Sequence, residues 1–190
     1  ITPSPREGYS SAPPVLECMT NLDGRLDADE VAAAFGVEVS YFVTPQGESV
    51  EVDTGGALGD DGVLRWDLGA DRASDQVATV TPATLSEQWF ADAFPTGEIV
   101  LPLDAGGRNL GIYRQTDDAF WLLGSASAEE NPAEGKTLMV YDQPVALFRF
   151  PMAVGDKWVA ASTITAGTLL GLPFAGSHTY EISVEAAGEL

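Results

Sequence analysis

The chain has 190 residues, is 45% hydrophobic and carries four Trp, enough for one packed domain and too apolar for a disordered chain. Its 29 Asp and Glu against 9 Lys and Arg leave a formal charge of −20, which excludes nucleic acid and anionic membranes, since both are gripped through Lys and Arg. No apolar run approaches the roughly 18 residues of a membrane-spanning helix. One Cys and one His exclude internal disulfides, zinc clusters and most His-dependent chemistry.

Residues 1–14 (ITPSPREGYSSAPP) are rich in Pro and Ser, the composition of a solvated tether, which we draw over residues 1–16. Such tethers follow the processing site of exported proteins, so an extracytoplasmic setting is expected: secreted, periplasmic or cell-surface. Cys18 follows Leu16 and Glu17, not the small residues of a lipid-attachment site. It reads as a small buried apolar residue or as half of an intermolecular pair. Residues 17–36 form a turn and a helix. Asp27 to Phe35 joins good helix formers, places acids in the first turn and ends at Gly36.

From residue 37 the period changes to two, and 37–190 reads as an antiparallel β domain. Val37–Val43 and Ser49–Asp53 flank Pro45-Gln46-Gly47 as a hairpin. Val63–Leu68 and Gln76–Thr81 are short strands. Leu85–Phe94 suits a short helix or an aromatic plug, and Glu98–Leu103 returns to strand. Asn109–Gln115 and Ala119–Leu123 form a hairpin across Thr116-Asp117-Asp118. An acidic loop fills 127–136. Thr137–Tyr141 and Val145–Phe150 predict another hairpin around Asp142-Gln143-Pro144. Lys157–Thr168 and Thr179–Val184 close the series, with bends at Gly167, Gly171 and Gly176. The strand-like run so near Leu190 predicts a longer parent chain. The expected fold is mainly β: an antiparallel curved sheet, open barrel or sandwich with one short N-terminal helix.

Residues 19–30 resemble an EF-hand or dockerin-type calcium loop. Aligned on Gly24 as the sixth position, Asn21, Asp23, Arg25, Asp27 and Glu30 match the third, fifth, seventh, ninth and twelfth, and Leu26 the apolar eighth. The resemblance implies calcium, with Arg25 donating its carbonyl and Glu30 both carboxylate oxygens. Met19 departs from the pattern, offering no side-chain oxygen at the first position. The alternative is a loop-to-helix corner capped by acids.

Val50-Glu-Val-Asp53-Thr54-Gly55 resembles the active-site turn of retroviral-type aspartic proteases, in which two such Asp share one proton. One copy is present, so a homodimer would supply the second; the alternative is an Asp in a plain turn. The pairs Asp60-Asp61, Asp117-Asp118 and Glu129-Glu130 sit in turns facing water, not across a cleft as glycoside hydrolysis requires. His178 lies in no triad-like arrangement. Phe150-Pro151-Met152-Ala-Val-Gly155-Asp-Lys-Trp158 resembles an element of bacterial envelope lipoproteins and related secreted β domains. The resemblance implies half-barrels that hold apolar ligands or partner segments. Trp66, Trp89, Trp121 and Trp158 either line such a cavity or fill the core.

The expected function is therefore a non-enzymatic β domain for attachment, assembly or partner binding, through a protein partner or self-association. The alternative is an envelope carrier for an apolar ligand. A carboxylate-only or aspartic hydrolase comes third.

Overall fold

A computed structural model describes residues 21, 23–35, 38–45, 47–67, 74–104 and 106–189. The tether, Cys18, Met19 and the helix-ending Gly36 lie outside these residues. The elements are α1 (Ala28–Phe35), β1 (Val39–Val43), β2 (Ala57–Leu58), β3 (Leu64–Arg65), β4 (Gln76–Val80), β5 (Ala83–Thr84), β6 (Ile99–Pro102), β7 (Asn109–Gln115), β8 (Ala119–Ser127), β9 (Leu138–Arg149), β10 (Lys157–Leu169) and β11 (Leu172–Ser183). Strands β5 to β11 form one seven-stranded antiparallel sheet in chain order, with edges at β5 and β11. The sheet does not close into a barrel. Two small ribbons, β1–β4 and β2–β3, accompany it.

The centre of the sheet is buried on both faces, which is why β7 and β8 read as near-continuous apolar runs. One face carries Val100, Leu110, Ile112, Leu123 and Ala126 under Phe90 and Phe94. These two rings come from a pair of 3-10 turns, Leu85–Glu87 and Ala91–Ala93, so the expected aromatic plug is present. They meet edge to face with centroids 6.1 Å apart. The other face carries Tyr113, Phe120, Leu122 and Val145, packed with Tyr141, Phe148 and Tyr180. Towards β11 burial alternates residue by residue, so the sheet there has one covered side and one open side.

Three expected elements differ. Val39–Val43 pairs with Gln76–Val80, not with Ser49–Asp53, and a Ser40–Thr79 hydroxyl contact of 2.9 Å supports the register. Residues 138–149 form one strand, not a hairpin. Leu122 pairs with Val145 and Gly124 with Val140, so residues 141–144 bulge out opposite Leu123. Pro144 sits in that bulge, where a missing N–H is tolerated. Side chains of β10 stabilise the bulge: Thr163 and Thr165 donate to the Asp142 carboxylate, and Ser162 Oγ accepts from the Gln143 N–H. The final hairpin is also longer than expected. It turns at Leu170 and Gly171, both with positive φ, and Gly176 lies inside a strand.

Candidate functional site

An open cleft forms where the loop at 52–54, the β2–β3 ribbon and the strap at 184–189 meet the ends of β9, β10 and β11. Its floor comes from the sheet. Trp158 is 9% exposed and donates its Nε1–H to Ala146 O at 3.0 Å, a bond that fixes the indole plane. Ile182 lies opposite Trp158 on β11. Phe148 stacks on Phe120 at 5.9 Å, and Phe120 stacks on Tyr113 at 5.0 Å, so an aromatic ladder connects core to cleft.

The facing wall is held by backbone and charge. Trp66 donates Nε1–H to Thr54 O and its amide N–H to Glu189 O, both at 3.0 Å. Glu189 N–H donates in turn to Leu64 O. Arg65 grips both Asp61 oxygens and Glu189 Oε2 at 2.7–2.9 Å. That guanidinium holds the Asp61 carboxyl below its ordinary range. Gly188 allows the close approach: a Cβ there would stand 2.0 Å from Leu64 O.

The cleft has a volume of about 510 Å³, within the range of small-molecule sites. Val52, Trp66, Phe148, Met152, Trp158 and Ile182 make its apolar walls, and Asp53 and Glu185 its charged margin. Of the four Trp, only Trp66 and Trp158 line it. Trp89 and Trp121 bond elsewhere, to Ser127 O and Thr116 Oγ1. The sequence offered all four Trp as candidates and did not separate this pair from the others. Phe148 and Ile182 sat in unremarkable strand patterns, and nothing signalled the Gly188 approach.

The loop over Asn21–Glu30 folds as a capped corner. Gly24 adopts φ +84° at its turn. Glu30 reaches back from the third helical position, its Oε2 accepting from Asp27 N–H at 2.8 Å and its Oε1 from Asn21 N–H at 2.7 Å. The first bond is one half of a capping box. Asn21 Oδ1 accepts from Asp23 N–H and Asp23 Oδ1 from Arg25 N–H. Asn21, Asp23 and Glu30 thus turn their side-chain oxygens to local amides. Among the described residues, no three His, Cys, Asp or Glu side chains gather as a metal-holding group. Leu26, at the apolar eighth position, forms a backbone bridge with Met152.

Asp53 is exposed, and its Oδ1 accepts from Gly55 N–H at 2.9 Å, closing a local turn. Of the acidic pairs, Asp61 is engaged by Arg65, Asp118 by Thr116 and Glu130 by Lys136. His178 Nδ1 lies 2.7 Å from the Tyr141 hydroxyl, which is 2.8 Å from that of Tyr180. Burial, then the Tyr180 hydrogen bond, raise the Tyr141 phenol; burial and Tyr180 push Tyr113 to about 12. These phenols are neutral packing groups at ordinary pH. Comparison with known proteins gave no matching family, no matching curated sequence and no matching solved structure.

Proposed function

We propose that this chain is a non-enzymatic, extracytoplasmic β domain that holds a ligand with an apolar body in the cleft between Trp66 and Trp158. The observation that carries this reading is the 510 Å³ cleft walled by two indoles, Phe148 and Ile182. Surface of that composition gains roughly 25 cal/mol for each Å² removed from water. The extracytoplasmic part rests on the composition of residues 1–16. The test is a titration with 1-octanol, followed through the indole N–H signals of the four Trp by nuclear magnetic resonance. Trp66 and Trp158 should move while Trp89 and Trp121 stay still, and Trp66→Ala should weaken binding. Unmoved Trp66 and Trp158 signals would remove the proposal.

A second reading, self-association, is favoured by β11. This strand of 12 residues has β10 as its one neighbour among the described residues. Val184 exchanges its backbone bonds with Gly155 and Asp156, so ladder alternation turns the N–H and C=O of Ser177, Thr179, Glu181 and Ser183 to the open side. None is Pro, and no Lys guards the edge. A second copy adding there would pair antiparallel with it. Light scattering should show concentration-dependent mass that Thr179→Pro abolishes; a wild-type chain monomeric throughout would end this reading.

A further inference from the structure

We infer that the ligand of the cleft is an organic cation with an apolar tail, a substituted ammonium seated at Asp53 and Glu185; this inference rests on the cleft being a ligand site. Three features of the cleft converge on positive charge. First, among the described residues its charged lining consists of the carboxylates of Asp53 and Glu185, with no Lys or Arg. Among the described residues the ion pairs involve neither of them. Asp53 spends Oδ1 on Gly55 N–H, which leaves Oδ2 to a ligand.

Second, the walls include two indoles, the strongest aromatic partners for a cation. The chain already uses this pairing: Lys136 Nζ stands 4.2 Å from the Trp89 ring centroid, and Arg149 Cζ stands 5.9 Å from that of Trp158, which makes Trp66 the cleft indole for the ligand's cation. Third, a net charge of −20 attracts cations and repels anions on approach. Fatty acids and anionic lipids therefore suit the apolar walls but not the margin. An ammonium on an apolar tail suits both.

The test compares octyltrimethylammonium, 1-octanol and octanoate at 0.15 M salt, read at the Trp66 and Trp158 indole N–H signals. The ammonium should bind about tenfold tighter than octanol, and octanoate weaker than either. The double variant Asp53→Asn, Glu185→Gln should cut the ammonium's preference over octanol severalfold and leave octanol unchanged. Asn keeps an acceptor for Gly55 N–H, and unchanged Trp89 and Trp121 signals confirm the fold. Equal affinity for ammonium and octanol in the wild type would overturn the cation inference and leave the apolar site standing. A preference undiminished in the double variant would also overturn it, assigning the preference to the general field. Failure of all three to move Trp66 and Trp158 would remove the ligand site itself.

Discussion

Leu26 and Met152 exchange both backbone hydrogen bonds, Leu26 N–H to Met152 O at 2.9 Å and Met152 N–H to Leu26 O at 3.0 Å. This bridge joins the loop before α1 to the segment between β9 and β10. Gln115 on β7 adds a side-chain bond to Ala28 O at 2.7 Å. The helix start is thus fixed to the sheet, and Met152 is held where it lines the cleft.

Glu30 should matter to stability more than an ordinary acid of a short helix. It is 8% exposed, and its carboxylate satisfies two amides. Glu30→Ala should cost about 1–3 kcal/mol in urea unfolding, with the denaturant slope unchanged. Glu30→Gln keeps one acceptor and should cost less.

Calcium should leave the thermal midpoint unchanged relative to chelator. The carboxylate that would hold the ion already serves the Asn21 and Asp27 amides, and Met19 has no side-chain oxygen. A midpoint that rises with calcium, and no longer does so in Glu30→Ala, would instead assign Asn21, Asp23, the Arg25 carbonyl, Asp27 and Glu30 as ligands.

Two glycines with positive φ should respond very differently to Ala. At Gly155, φ is +96° and nothing lies within 4 Å of the new Cβ, so the cost is backbone strain of about 1–2 kcal/mol. At Gly124 the Cβ would stand 2.1 Å from Met139 O in the middle of the sheet. Gly124→Ala should cost about 3 kcal/mol or more, or prevent folding. Chemical denaturation of both variants checks the contrast.

Alkali should unfold the protein through its buried phenols. Tyr113 titrates near about 12 when folded against 10.0 ordinarily, because burial opposes its ionisation. A folded value above the unfolded one gives stability that is whole below pH 10 and lost as pH rises towards 12. The loss from this residue is roughly 2–3 kcal/mol. Urea midpoints should hold steady to pH 10 and then fall, while Tyr113→Phe flattens the decline. An identical fall in the variant would refute the assignment.

Local chemistry settled much of the fold. Alternating runs with turn residues at regular spacing identified β6, β7, the start of β8 and β10, and Asp27 to Glu30 marked a helix start that the Glu30 carboxylate caps. It failed where distant partners outweighed local signals. Asp142-Gln143-Pro144 reads as a turn, yet hydroxyls on β10 hold it inside a strand, and no sequence window contains both. Ser49–Asp53 has strand propensity, but β1 pairs with β4 more than thirty residues away, leaving Val52 and Asp53 to the cleft. The sequence by itself thus determined class, charge and which indoles were available. Tertiary structure alone decided that Trp66 and Trp158 face one space and Trp89 and Trp121 do not. The reason is that a side chain's neighbours follow from strand order and register, which long-range pairing selects after local propensity has been spent.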